Sequence, residues 1–232
     1  MRNGPMQTAV RTDTFLPAPA PALLPVSTLL RPEREVPILR TIRAFTKDEE
    51  IFMEGDKAIF VYKVVSGGVR TCKLLNDGRR QIAAFHLPGD FFGIEAGQEH
   101  RFTAEALGDT KVIIYRRRGL DVVSGGEALS QEFMTAVMRA LECAQAHMLL
   151  LGRKSAQEKI AAFLLDLAER ELDHGHIALP MARIDIADYL GLTIETVSRT
   201  LTHLERQGII ELSAHRRAIA LNDKAALQRL NA

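Results

Sequence analysis

The apolar residues of this 232-residue chain change their spacing once, and that change constrains the fold more than any other feature. From Ile38 to about Tyr115 the hydrophobic runs are short and are broken by turn-forming clusters: Met53-Glu54-Gly55-Asp56, Ser66-Gly67-Gly68, Asn76-Asp77-Gly78, Pro88-Gly89-Asp90 and Gly108-Asp109. Short strands at that spacing predict a sandwich or barrel of the jelly-roll kind. The Asn76-Asp77-Gly78 tip is the best hairpin, because such residues tolerate the positive φ of a tight turn. After Gly125-Gly126 the period becomes helical, and from about Leu129 to Leu151 neither proline nor glycine interrupts one long helix. Gly152 marks a break. A second helix, about Ala156 to Leu172, is expected to bury Ile160, Phe163, Leu164 and Leu167 and to end at an Asp173-His174-Gly175-His176 turn. Ahead of all this, seven of the nine prolines fall in the first 37 residues, where they block helix and sheet alike, so residues 1–37 read as a mobile leader.

Composition excludes more than it assigns. With Lys+Arg 30 against Asp+Glu 29 there is no bulk attraction to nucleic acid or to membranes, and any such partner needs a local patch. The two cysteines, Cys72 and Cys143, cannot form a disulfide framework or a four-cysteine metal site; with few cations near them beyond Arg70 and Lys73, both read as structural, reduced thiols. No apolar run approaches the roughly 18 residues of a membrane span and no secretory h-region is present, so a cytoplasmic location is expected. His174 and His176 lack a third ligand, and His86 and His100 stand alone, which argues against a metal site and a cupin-type enzyme. No phosphate loop, nucleophile elbow or zincin motif appears, so neither a cofactor nor an enzymatic activity is expected.

Within the long helix Met134, Val137, Leu141, Ala144, Met148 and Leu151 are spaced as a heptad seam. The stripe could join two chains or pack on the chain's own barrel. Further on, residues 183–208 read as helix, three-residue turn, helix: Gly191 supplies the corner, Thr193 can cap the second helix, and Ala187 lets the two helices cross closely. In the second helix Ile194, Val197, Leu201 and Leu204 form an apolar stripe, while Glu195, Ser198, Arg199 and Thr202 form a polar one. A guanidinium fork, a carboxylate and a hydroxyl near a helix N-terminus suit base reading in a major groove, against the plainer alternative of a solvated face. Two short strands then flank His215-Arg216-Arg217, a basic wing tip able to meet phosphate, as are Thr193, Thr202 and Arg206.

These features resemble the Crp/Fnr superfamily of dimeric bacterial regulators, and within it the FixK-like branch. The resemblance covers about residues 40 to 230 and rests on Gly67, Pro88-Gly89-Asp90-Phe91-Phe92-Gly93, the run from His147 to Lys159, and Glu195-x-x-Ser198-Arg199. It implies an α+β chain: a cyclic-nucleotide-binding-type β-roll over 38–125, a dimerisation helix over 126–152 and a winged helix-turn-helix over 153–232. It further implies double-stranded DNA, a second copy of the chain and RNA polymerase as partners, a TTGA-type inverted repeat as site, and activation of genes for low-oxygen or nitrogen-oxide metabolism. An effector-responsive regulator holding a small molecule in the roll is the alternative. Glu54, Asp56 and residues near Gly97 to His100 are candidate polymerase contacts. In cyclic-nucleotide-binding members Phe-Gly-Glu and a following Arg-Ser/Thr-Ala meet ribose and phosphate; here Phe92-Gly93-Ile94-Glu95 and Arg101-Phe102-Thr103-Ala104 displace both groups, so cyclic AMP is not expected to bind. The cysteine cluster of oxygen-sensing Fnr proteins is absent from the leader.

Overall fold

A computed structural model describes residues 41–117, 127–170, 176–213 and 218–231, with side chains of the long helix from residue 131 onward. The expected leader, residues 173–175 of the expected turn and the His215-Arg216-Arg217 tip lie outside the described residues. The described residues of the first half form eight strands: β1 (Thr41–Phe45), β2 (Glu50–Phe52), β3 (Phe60–Ser66), β4 (Val69–Leu74), β5 (Arg80–His86), β6 (Phe91–Phe92), β7 (Thr103–Ala106) and β8 (Thr110–Arg116). They pair antiparallel as two four-stranded sheets, β1-β8-β3-β6 and β2-β7-β4-β5. Phe45, Phe52, Tyr62, Val64, Val69, Phe92 and Val112 fill the core of this roll. The period of two is plain in β8, where buried Thr110 and Val112 flank exposed Lys111. Gly67 joins β3 to β4 at φ 80°, and a Cβ there would lie 2.5 Å from the Asp109 carbonyl oxygen.

The second half contains helices α1 (Glu127–Arg153), α2 (Ala156–Arg170), α3 (Arg183–Leu190), α4 (Ile194–Arg206) and α5 (Lys224–Asn231), with strands β9 (His176–Ala178), β10 (Ile210–Leu212) and β11 (Ala218–Leu221). Helix α2 starts in a reciprocal cap: Ser155 N donates to Glu158 Oε2 at 2.6 Å and Glu158 N to Ser155 Oγ at 3.4 Å. Ile160, Phe163, Leu164 and Leu167 are buried, and so are Lys159, Ala161 and Leu165, because α2 is packed on several sides. The sheet order is β10-β11-β9. The reading of His176 as part of a turn is therefore corrected: it opens β9 and pairs with Ala220. Three residues carry too little local signal for a strand; the partner strand makes it one.

One continuous apolar core spans both halves. Cys72, Ile82 and Phe85 of the roll join Ile160, Leu164, Ile186, Leu190, Val197, Leu204 and Ile219. Helix α1 packs on the body along one side only. Phe133 and Ala136 pack against Val61, Phe91 and Tyr115, Lys63 pairs with Glu132, and Leu150 is buried, whereas Met134, Met138, Leu141, Met148 and Leu149 remain exposed.

Candidate nucleic-acid interface

The corner between α3 and α4 is built by two residues. Gly191 adopts φ 61°, a left-handed conformation that favours glycine, and its N–H and that of Leu192 both donate to the Ala187 carbonyl. Thr193 then caps α4, its Oγ1 accepting from Thr196 N at 3.2 Å. Val197, Leu201 and Leu204 are buried and fix the roll angle of α4, and Ala187 is buried where the helices cross. The expectation for Ile194 is corrected: it is 39% exposed, because the first turn of α4 projects beyond the core.

With that anchor, Glu195, Arg199 and Arg206 stand exposed on the opposite face, and Ser198 and Thr202 are half-buried beside them. The free amide at the start of the helix, the Thr193 hydroxyl and the nearby Arg199 hold the Glu195 carboxyl below its ordinary value, so it is an acceptor at neutral pH. A residue missed in the sequence enters here. Arg183, in the first turn of α3, donates from Nη1 to Ser198 Oγ at 3.2 Å. A cation in a first turn opposes the helix dipole, which was the available signal that it serves something outside its own helix. The wing base is present as antiparallel β10 and β11, closed by Ala218 N donating to Ser213 Oγ at 3.2 Å.

The seam residues of α1 do not all share one environment. Met134, Leu141 and Met148 are 60%, 51% and 67% exposed, and Ala144 is exposed, but Val137 and Leu151 turn half toward their own chain. Met138 and Leu149 take their places on the open stripe. The inward-facing stripe is a different one: Phe133 and Ala136 meet the roll, Cys143 meets Arg170 of α2, His147 meets Tyr189 of α3, and Leu150 joins the core.

At the far end of the roll the displaced carboxylate and arginine hold each other. Glu95 accepts from Arg101 N and Nε, both at 3.1 Å. His100 is buried and stacks on Phe52 at 3.6 Å between ring centroids, so it drops out as a polymerase contact. Glu54 pairs with Lys73 at 2.7 Å, and Asp56 accepts from Met53 N within its own turn. A separate cavity of about 540 Å³ opens between β5, α1 and α2, with His86, Asp90, Arg139, Cys143, Arg170 and Tyr189 on its wall. One cation that the sequence did not bring near Cys143 is present: Arg170 Nη2 lies 3.6 Å from its Sγ. Among the described residues no group of three or more His, Cys, Asp or Glu side chains could hold a metal, and no helix is long and apolar enough to cross a membrane.

Comparison with known proteins agrees with this layout. Residues 42–123 match the model of the cyclic nucleotide-binding domain, and residues 158–230 that of the Crp-like helix-turn-helix domain. The chain is 49% identical over 207 residues to the nitrogen fixation regulation protein FixK of Azorhizobium caulinodans, covering 87% of this chain and 83% of that one. It is 46% identical to the transcriptional activatory protein AadR of Rhodopseudomonas palustris, over 70% of each chain. The solved structure of FixK2 from Bradyrhizobium japonicum is similar with a TM-score of 0.78 and 48% identity, covering 84% of this chain and 98% of that one.

Proposed function

The chain belongs to the Crp/Fnr family as a FixK-like transcriptional regulator, and we propose that it binds an inverted repeat of TTGA type as a homodimer and activates genes for low-oxygen or nitrogen-oxide metabolism. The family is one of regulators and not of enzymes. One observation carries the reading: a helix anchored by buried Val197, Leu201 and Leu204 offers Glu195, Ser198 and Arg199 together on its outer face near the capped N-terminus. Arg199 suits the O6 and N7 acceptors of guanine, Glu195 an exocyclic amine, and Ser198 a neighbouring base edge. Thr193, Thr202, Arg206 and the tip residues His215, Arg216 and Arg217 serve phosphate. Thr193 uses its oxygen as cap and lies 3.1 Å from the Thr196 hydroxyl, so the two hydroxyls together leave one proton to donate.

Two copies of α4 related by a two-fold axis require half-sites about 10 base pairs apart between centres. The open stripe of α1, with the seam residues Met134, Leu141, Ala144 and Met148 flanked by half-buried Val137 and Leu151, supports that axis. RNA polymerase is the partner that activation requires, and the cytoplasm is where these partners meet. The AadR name supports activation, and the FixK name supports a nitrogen-fixation setting. Selection from randomised duplexes with purified protein tests the reading: recovery of an inverted repeat with a guanine in each arm supports it, and recovery of no common sequence refutes it.

A second reading has one observation in its favour. The cavity of about 540 Å³ touches the roll, the long helix and α2 at once, so a small molecule there would bear on the reader domain.

A further inference from the structure

A helix leaves its last four carbonyls without partners inside the helix. In α3, which ends at the corner from which the reader helix departs, those four are collected by four different parts of the molecule. Ala187 O accepts from Leu192 N at 3.0 Å within the turn itself. Asp188 O accepts from Gln81 Nε2 of β5 at 2.8 Å. Tyr189 O is 2.8 Å from His147 Nε2 of α1, and the two rings stack at 4.0 Å between centroids and 10° between planes. Leu190 O accepts from the buried Lys159 Nζ of α2 at 3.0 Å. The roll, the long helix and α2 thus each hold the same corner.

The outer face of α3 is held as firmly. Asp185, buried, accepts from Arg70 Nη1 at 3.3 Å and from Arg80 Nη2 at 2.5 Å, while Arg80 Nε reaches Asp188 Oδ2 at 2.9 Å. Arg70 also pairs with Asp48 and Glu105. Taking such ions out of water is costly, and apolar side chains of similar volume stabilise a core equally well, so stability alone does not account for the cluster. What directional contacts add is a single geometry: they fix where α3, and with it α4, stands relative to the roll, while His147 ties the same helix to α1.

In a two-fold dimer that geometry has a readout. One extra base pair moves a half-site by roughly 3.4 Å along the duplex and rotates it by roughly a tenth of a turn. A corner free to pivot follows such a shift; a clamped one does not. We propose that Arg80, Gln81 and His147 are positioning residues that set the half-site spacing this regulator accepts, an inference that rests on the dimeric reading proposed above.

The test compares the full chain with His147→Ala, His147→Gln, Gln81→Ala and Arg80→Gln on three duplexes: the inverted repeat, the same repeat with one base pair inserted at its centre, and the repeat with its guanines replaced. Wild type is expected to prefer the correct spacing at least tenfold. His147→Ala and Gln81→Ala should reduce that preference at least threefold while leaving the guanine preference unchanged, and His147→Gln, which keeps a donor, should restore most of it. Melting temperature is followed alongside, since a merely structural role lowers stability and all affinities together. Variants that melt lower yet keep the wild-type spacing ratio overturn the proposal, and so does a wild type that reads guanine but ignores spacing. A wild type indifferent to guanine removes the dimeric reader itself and this inference with it. Should His147→Ala fail to fold, Gln81→Ala and Arg80→Gln decide the matter by the same ratios.

Discussion

Placing a carboxylate at Leu141 should separate the protomers. Leu141 is 51% exposed in the single chain, so a partner can bury about half of it, worth about 1 kcal/mol per copy if full burial of such a side chain contributes about 1.5–3 kcal/mol. Two-fold symmetry removes that contribution twice. On a parallel seam the two Asp side chains also face each other; at roughly 5 Å and an effective dielectric near 20 their repulsion is about 3 kcal/mol. The sum, about 5 kcal/mol, corresponds to a dissociation constant raised by a factor on the order of 10³ to 10⁴. Sedimentation equilibrium over a hundredfold concentration range measures it directly. Leu141→Asp should run as a folded monomer, with an unchanged circular dichroism spectrum, where wild type runs as a dimer, and Met148→Asp should behave similarly. The reasoning is refuted by a wild type that stays monomeric with and without DNA, or by a Leu141→Asp protein that associates as tightly as wild type.

Micromolar cyclic AMP should give no saturable heat in calorimetry, because Glu95 and Arg101 are engaged with each other; a clear binding isotherm would contradict this. Burial pushes the Cys72 thiol up to about 11, so limited alkylation at pH 8 followed by mass spectrometry should find Cys143, on the cavity wall, modified well before Cys72. Desolvation pushes the His86 imidazole down to about 4, opposed by Asp90 and aided by Arg170. The fold favours the neutral ring, so the stability it adds is complete above the ordinary value of 6.5 and is lost as pH falls from there toward 4. Denaturant titrations across that window should show wild type gaining stability relative to His86→Phe as the pH rises, and parallel curves would exclude the assignment.

The parts of this molecule that were legible in the sequence are those whose determinants lie close together in the chain. The hairpin of β4 and β5 follows from Asn76-Asp77-Gly78, and the α3–α4 corner from Gly191, Thr193 and the apolar period of α4. Strand β9 escapes sequence reading because three residues are too few for their alternation to stand out. Ile194 was misplaced because periodicity gives a direction around a helix but not how far the core extends along it. For the same reason the open stripe of α1 includes Met138 and Leu149 and shares Val137 and Leu151 with the body. The Arg70, Arg80, Asp185 and Asp188 cluster and the carbonyl clamp around residues 188–190 join positions more than thirty residues apart, up to 115 for Arg70 and Asp185. No local pattern reports them, although an acidic residue in the buried first helix of a helix-turn-helix asks for a cationic partner.

In the proposed complex the outer face of α4 reads a guanine through Arg199, and a two-by-two binding measurement tests this. Wild type and Arg199→Ala would be titrated against the inverted repeat and against the repeat with its guanines replaced, at one fixed salt concentration, with Arg206→Ala as a phosphate-contact control. Loss of one bidentate guanine contact costs about 1–3 kcal/mol per half-site. Wild type should therefore lose at least about thirtyfold in affinity on the substituted duplex, taking about 2 kcal/mol as the minimum for two half-sites. Arg199→Ala should bind both duplexes alike, and Arg206→Ala should bind both more weakly while keeping the wild-type ratio. A wild type that binds the two duplexes equally, or an Arg199→Ala protein that retains full discrimination, would contradict the assignment of α4 as the reader.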